Sequence, residues 1–270
     1  MSDITNLSKI YIFNHKPKFI SELDSIYQPL VVGNYLLNNQ NLFLGDNTGD
    51  NISSKNEYYC ELTGIYWLWK NTTQDIVGSC HYRRYFTYKS EPFWYKIKRL
   101  LYPIVGLARL RKGLIVTSNT TLFSKHLITQ SEINEILSNY DLIVPKPSWF
   151  KRSVKKQYQR HHNEGDLIIL ESIIEKLYPA YINSFNKVLE QKWFYAFNMF
   201  IMKNEHFQDY MKWLFDILFE FEKQVDLKSY KGYQKRVIGF LAERLFNVWV
   251  TYQNLTCKEL DIIYFEKLKN

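Results

Sequence analysis

The residue types able to do chemistry in this chain gather at a few places, and the densest is His81-Tyr-Arg-Arg-Tyr85, directly after the short apolar run Ile76 to Cys80. An apolar run that breaks abruptly into polar residues is how a core strand leaves its sheet. In open α/β sheets, ligands sit in the crevice beyond the carboxyl ends of the strands, and two adjacent guanidinium groups suit a phosphate or diphosphate. An anionic-ligand site is therefore predicted at His81 to Tyr85. A second cluster, Asp46-Asn-Thr-Gly-Asp-Asn-Ile-Ser53, is a loop by composition, with two carboxylates, two amides and a glycine. Its oxygen atoms suit a hard divalent cation, and the same residues suit a turn followed by a helix cap at Ser53 or Ser54. His161 and His162 are adjacent, so they cannot share one helical face and at most one points into a cleft. Asn198 lies within a strand-like apolar run, where a buried amide must find partners. Glu243 and Arg244 fall inside a helical pattern, where a neighbouring acid and base most often satisfy each other or face solvent.

The elements that must position these groups are legible as periodicities. Leu62, Ile65, Tyr66 and Trp69 stand at i, i+3, i+4 and i+7, which predicts a buried helix just before the strand at Ile76. Lys9 to Phe13 reads as a first strand ending at Asn14-His15-Lys16-Pro17, and Leu30 to Gly33 as a second. Ser131 to Leu137 carries a capping signature and a short amphipathic helix, followed by a core strand over Tyr140 to Val144. A long helix is predicted from the His161 region to about Leu189, interrupted at Pro179. Then come a strand over Phe197 to Met202, a helix over Glu205 to Phe221, and a helix over Tyr233 to Tyr252 with Ile238, Leu241, Leu245 and Trp249 on its apolar stripe. Asp261 to Phe265 reads as a last edge strand.

Composition bounds the function classes. With 270 residues, 10 Gly, 7 Pro and no repeat or linker, residues 1–270 read as one compact α/β domain. The net charge of +8 favours acidic partners, whether nucleic acid, an anionic membrane face or phosphorylated substrates. Cys60, Cys80 and Cys257 are far apart, two of them in apolar runs, which suits a reducing cytosol. No basic-then-apolar leader opens the chain and no apolar stretch approaches the roughly 20 residues of a spanning helix, so a soluble or peripheral cytoplasmic protein is expected. From Pro92 to Ser131 there is no acidic residue, while Lys96, Lys98, Arg99, Arg109, Arg111 and Lys112 flank the apolar stretch Leu100 to Ala108, with Phe93-Trp94-Tyr95 at its edge. Such an excursion, 92–121, suits contact with an anionic bilayer; it also suits an ordinary surface loop with a few core anchors. There is no phosphate-loop, dinucleotide, esterase-elbow or Cys-x-x-Cys motif, and no strict Asp-x-Asp triplet. The aromatics fall mostly in core periodicities and no nucleic-acid-binding motif appears, which argues against a nucleic-acid partner.

Six blocks, in order, carry a resemblance over roughly Lys9 to Tyr252: His15-Lys-Pro, Asp46-Asn-Thr-Gly-Asp-Asn-Ile-Ser, Glu61-Leu-Thr-Gly-Ile-Tyr-Trp-Leu-Trp-Lys, Val77-Gly-Ser-Cys-His-Tyr-Arg-Arg-Tyr-Phe, Phe197-Asn-Met-Phe-Ile-Met and Gly239-Phe-Leu-Ala-Glu-Arg-Leu-Phe-Asn-Val-Trp. Together they resemble the domain of unknown function 4422 family, bacterial glycosyltransferases of capsular or exopolysaccharide biosynthesis. The resemblance implies a single GT-A-like (Rossmann-like) domain with a mostly parallel central sheet, using a nucleotide-sugar donor, UDP-linked and carrying galactose or galactofuranose. It implies a lipid-linked glycan acceptor at the cytoplasmic face of the membrane. His15, Asp46, Asp50, Asn51, His81, Arg83 and Arg84 would bind the donor. Either the guanidinium groups neutralise the leaving diphosphate without metal, or Asp46 and Asp50 hold Mg²⁺ or Mn²⁺. Glu243 would be the catalytic base, with Asp166 the other candidate. Asn198, Glu61, His161, His162 and Arg244 would line the sugar and acceptor pocket, and 92–121 looks inserted relative to the family pattern. A catalytically silent scaffold of polysaccharide assembly is the alternative.

Overall fold

A computed structural model describes residues 7–15, 23–33, 44–90, 92–102, 104, 112–266 and 268. Lys16-Pro17 and most of the apolar stretch Leu100 to Ala108, with Arg109 and Arg111, lie outside the described residues. The strands are β1 (Ser8–Asn14), β2 (Tyr27–Val31), β3 (Ile76–His81), β4 (Arg84–Thr87), β5 (Leu114–Thr117), β6 (Leu142–Pro145), β7 (Ser148–Trp149), β8 (Trp193–Phe194), β9 (Phe200–Lys203) and β10 (Cys257–Phe265). The helices are α1 (Asn56–Tyr59), α2 (Leu62–Asn71), α3 (Phe93–Leu101), α4 (Thr120–Ser124), α5 (Gln130–Leu137), α6 (Val154–His161), α7 (Gly165–Leu177), α8 (Ile182–Glu190), α9 (Asn204–Gln224) and α10 (Val237–Tyr252), with short 3₁₀ turns at Pro179–Tyr181 and Gly232–Arg236.

The α/β class is as predicted, and the sheet is mixed rather than mostly parallel. Four pairings are parallel (β1 with β2 and β3, β10 with β5 and β6) and four antiparallel (β3–β4, β3–β9, β4–β10, β6–β9). The physical reason is the connections. A parallel neighbour needs a crossover of a dozen or more residues, whereas Tyr82-Arg83 reverse the chain from β3 into β4 at once. The pairings β3-β4-β10-β6-β9 close on themselves into a ring. β1 runs along one edge of β3 from Ile76 to His81, so the opposite edge is shared by β9, over Ile76–Ser79, and β4, at His81. His81 thus sits where the edge partner of β3 changes.

The predicted last edge strand is instead a central one. β10 pairs with β6 over its first half and with β4 and β5 over its second, and Leu260, Ile262, Ile263 and Phe265 are buried. Adjacent buried residues such as Ile262 and Ile263 mark a strand covered on both faces. The second strand starts earlier than predicted, because Pro29, tolerated on an edge strand, lies within its pairing with β1. His161 closes α6 instead of opening the long helix, which begins at Gly165 and breaks at Pro179 as predicted.

Alternation along the strands feeds two cores. Tyr11, Phe13, Val77, Leu142, Val144, Phe200 and Met202 join the helices α2, α7, α8, α9 and α10 on one face. Ile10, Ile12, Ile76, Cys80, Ile143, Met199 and Ile201 join α5 and β10 on the other. No helix among the described residues is long and apolar enough to cross a membrane. The site depends on α2 lying close to β1: a Cβ at Gly64 would meet Val32 Cγ1 at 2.6 Å and Phe13 Cδ1 at 2.7 Å. Gly64→Ala is expected to lower unfolding free energy by about 1–3 kcal/mol, the usual effect of overpacking a filled core, read from urea denaturation. An unchanged midpoint would mean the helix can lift off the sheet freely.

Candidate active site

The site is built around a turn that its own residues do not favour. Phe197 and Asn198, which lead into β9, both have positive φ, 82° and 50°. Two successive non-glycine residues in that region are costly and persist only where the surroundings over-determine them. Here they do. Ser79 Oγ donates to the Asn198 carbonyl at 2.8 Å, and His81 Nε2 donates to the Phe197 carbonyl at 2.6 Å. Glu243 Oε1 accepts the Phe197 N–H at 2.7 Å. A carbonyl only accepts, so the His81 proton is on Nε2. The Asn198 amide donates to Glu61 Oε1 at 2.8 Å and towards the Gly239 carbonyl at 3.3 Å, two acceptors that fix which way the amide faces. Glu61 itself follows a third strained residue, Cys60, at φ 51°.

Of these, Glu61, His81, Phe197, Gly239 and Glu243 line a cleft of about 270 Å³ beyond the carboxyl end of β3. Three guanidinium groups (Arg84, Arg236, Arg244), two carboxylates (Glu61, Glu243) and two imidazoles (His81, His162) face it, with Phe194, Phe197, Tyr233 and Phe240 as apolar walls. With neutral imidazoles the cleft is net positive. Arg84 lies 4.5 Å from the Phe197 ring and 5.3 Å from that of Tyr264, and burial lowers its pKa against the opposing pull of Tyr264 and Glu61. Its Nε is buried with no hydrogen-bond partner. Arg244 is 2% exposed and held through both terminal nitrogens: it donates to the Phe240 carbonyl at 2.9 Å, to Glu243 Oε2 at 3.1 Å and to Gln157 Oε1 at 2.7 Å. The Phe194 ring lies 4.6 Å away. Arg236 donates from Nε to Cys60 Sγ at 3.2 Å.

Of the sequence-predicted residues, the cleft brings together Glu61, His81, Arg84, His162, Glu243 and Arg244, with Asn198 behind Glu61. Only one of the paired histidines lines it: His162 bonds Gln234 through Nδ1 at 2.9 Å, and His161 is exposed. His15 is exposed at the end of β1, and Arg83 points at the Tyr264 hydroxyl, 3.4 Å away, outside the lining. Asp46 is fully buried and accepts from Ser53 Oγ and Thr63 Oγ1, each at 2.6 Å, and from the Gly33 N–H at 3.0 Å. Asp50 accepts from the Tyr66 hydroxyl at 3.1 Å, and Asn51 closes its own turn on the Gly49 carbonyl at 3.0 Å. That loop therefore ties α2 to β2, and Ser53 and Ser54 cap no helix, the N-cap position being Ile52. Among the described residues no three His, Cys, Asp or Glu side chains come together as metal ligands. Asp166 is buried outside the lining, held by the hydroxyls of Tyr158 and Tyr230, and burial raises its pKa.

Sequence reasoning missed Arg236, Gln157, Phe194, Tyr233 and Phe240. Lys235-Arg236 just ahead of the apolar stripe of α10 was the one available signal, since a helix start projecting from a core is where polar ends gather. Burial lowers the pKa of His81; Glu61 opposes that shift and Arg84 adds to it. The folded protein therefore keeps this ring neutral at pH values where the unfolded chain, with a pKa near 6.5, takes up a proton. The stability it contributes is complete above about pH 6.5 and is lost as pH falls towards the folded value, by up to about 1.4 kcal/mol per pH unit. Urea denaturation between pH 7.5 and pH 5.5 should show this loss, with a shallower slope in His81→Gln; identical slopes would place the ring in ordinary solvent.

No curated protein is significantly similar to the chain. Among solved structures, the apo form of WbbM, described as a bifunctional glycosyltransferase, superimposes with a TM-score of 0.83 at 32% sequence identity. The match covers 97% of this chain and 46% of that one, so this chain spans less than half of that protein's length. The profile of the family described as Domain of unknown function (DUF4422) matches residues 9–254, nearly the whole of the sequence, and the chain belongs to that family.

Proposed function

We propose that this protein is a glycosyltransferase that moves a sugar from a nucleotide diphosphate donor, UDP-linked, to a lipid-linked capsule or other cell-surface polysaccharide acceptor. The observation that carries the reading is the cleft at the end of β3, where three arginines, one of them buried, stand beside two carboxylates, in a chain similar over nearly its full length to a glycosyltransferase. Family resemblance favours galactose or galactofuranose as the sugar.

In the proposed transfer, an acceptor hydroxyl oxygen forms a bond to the anomeric carbon while the bond from that carbon to the donor's phosphate oxygen breaks. The nucleoside diphosphate leaves with the bonding electrons, and the hydroxyl proton passes to a base. Charge builds on the leaving diphosphate, which Arg84 and Arg236 face from the cleft wall. Glu243 is the base: Phe197 N–H and Arg244 hold its carboxylate in place, and its side chain is 18% exposed at the cleft. Glu61, with one oxygen bonded to Asn198, and His162 stand where sugar hydroxyls would lie. Asp46, with both oxygens already accepting, supports charge neutralisation by arginine rather than through a protein-held Mg²⁺ or Mn²⁺.

A thermal-shift screen with UDP, GDP and CDP, each with Mn²⁺ or with EDTA, tests the donor. At 100 times Kd a ligand of the folded state adds about 2.7 kcal/mol. The expected result is a shift with UDP that persists in EDTA; a shift that needs Mn²⁺ would remove the arginine-only diphosphate site, and no shift with any nucleotide would remove the donor reading. A second test separates the roles. Arg84→Ala and Glu243→Gln should fold normally and release nucleoside diphosphate in the presence of acceptor at least about 100-fold more slowly, the usual loss for an electrostatic or general-base group. Arg83→Ala, outside the lining, should stay within about threefold of the unchanged enzyme, the range of a solvated surface charge. Equal losses at Arg83 and Arg84 would shift the site out of the cleft.

A further inference from the structure

The most anomalous surface of the molecule is α3. Phe93, Trp94, Ile97, Leu100 and Leu101 are 76%, 47%, 42%, 70% and 48% exposed, and Ile104, one turn further on, is 74% exposed. Soluble proteins scatter exposed apolar residues singly; a run of them on one element marks an interaction surface. At about 100° per residue, Phe93, Ile97 and Leu100 lie along one line of the helix, Trp94 and Leu101 widen it into a face, and Lys96 and Lys98 stand at its two edges. Tyr95 points the other way. It is 2% exposed, and its hydroxyl accepts the Val116 N–H of β5 at 2.7 Å. The helix is thus pinned to the sheet with its apolar face outward, and Lys98 folds over the Trp94 ring at 4.8 Å.

We propose that α3 is a monotopic anchor that lies in the interface of an anionic bilayer, its apolar face among the acyl chains and its lysines on the headgroups. Charge decides the occupant. A helix with lysines at both edges of an apolar face, in a stretch of 40 residues from Pro92 to Ser131 without a carboxylate, complements a negatively charged headgroup layer. A second copy seated on the same face across a twofold axis would set like charges near one another in a layer where Lys is disfavoured. Strand β4 leads from Arg84 in the cleft to the loop before α3, so the anchor and the cleft are joined by one strand and share no residue. Binding through α3 therefore does not rest on the transferase reading and is separable from nucleotide binding.

Co-sedimentation of the full chain tests the proposal, using vesicles of phosphatidylcholine alone and with about 30 mol% phosphatidylglycerol, a charge density in the range of anionic leaflets. The protein should pellet with the anionic vesicles, and Lys96→Glu with Lys98→Glu should weaken partition at least about 30-fold, from the roughly fivefold contributed by each basic residue near the surface. Phe93→Ser, Ile97→Ser and Leu100→Ser together should abolish pelleting; because all three side chains are exposed, the melting temperature and the nucleotide shift should be unchanged. The proposal is overturned if the unchanged protein stays in the supernatant, if the triple variant pellets as well as it does, or if charge reversal has no effect. A dimer by light scattering that the triple variant breaks, without vesicle binding, would overturn it in favour of a contact between copies.

Discussion

The carboxylate of Glu61, 5% exposed beneath the cleft, is the constraint on which the rest of the site depends. Burying a lone ionised carboxylate costs several kcal/mol unless charge and hydrogen bonds offset it. The offset comes from elements distant in sequence: the Asn198 amide ahead of β9, which donates a hydrogen bond, and the Arg236 charge ahead of α10. Each of these must be held where Glu61 needs it, so each is itself braced. The positive φ of Asn198 directs its amide, and Ser79 and His81 hold that turn from the sheet. Removing one brace would leave a buried group unpartnered and not merely loosen a contact.

Sheet topology makes room for this arrangement. Because β3 gives up β9 for β4 at His81, the sheet divides there, and a crevice opens where the strand partner changes, much as ligand crevices form where strand order reverses in wound sheets. The start of α10 closes the opposite wall. Gly239 lies on that wall, and a Cβ there would meet no protein atom within 4 Å. A helix-interior glycine costs roughly 1 kcal/mol relative to alanine, so a residue that packing does not demand leaves space for something other than protein.

How much of this could be read from the sequence follows the range of the interactions. Helix α2, β3 and the stripe of α10 were legible because their burial is periodic, and the break from Cys80 into His81-Tyr-Arg-Arg located the cleft because a strand end is a local event. The loop from Asp46 to Ser53 was less legible, because what it contacts lies outside it, in α2 and after β2. Asp46 and Asp50 have the composition of a cation loop, but Asp46 is consumed by Thr63 and Ser53, partners that periodicity does not reveal. The strained turn at Phe197-Asn198 was invisible, since nothing in Phe-Asn announces positive φ when the cause lies in Ser79, His81 and Glu243. Antiparallel pairing of β9, and the central place of β10, likewise depend on which strands meet and not on what either contains.

Two carboxylates meet at that turn, one buried and one partly exposed, and their environments differ in a way that fits different parts in the proposed transfer. Asp166 holds the Tyr158 hydroxyl, the Tyr158 ring lies 5.2 Å from the Arg244 guanidinium, and Arg244 grips Glu243, whose other oxygen takes the Phe197 N–H. Asp166 thus acts at a distance, by fixing the ring against which Arg244 rests. Glu243 emerges from this chain partly exposed and oriented, while Glu61 on the other side of the turn stays deep, its Oε2 buried and without a hydrogen-bond partner. Neighbouring carboxylates in unlike environments take unlike roles. The accessible, arginine-braced Glu243 can receive a proton and pass it to solvent. The enclosed Glu61 fixes the groups around it and can accept a hydrogen bond from a ligand that reaches the cleft floor.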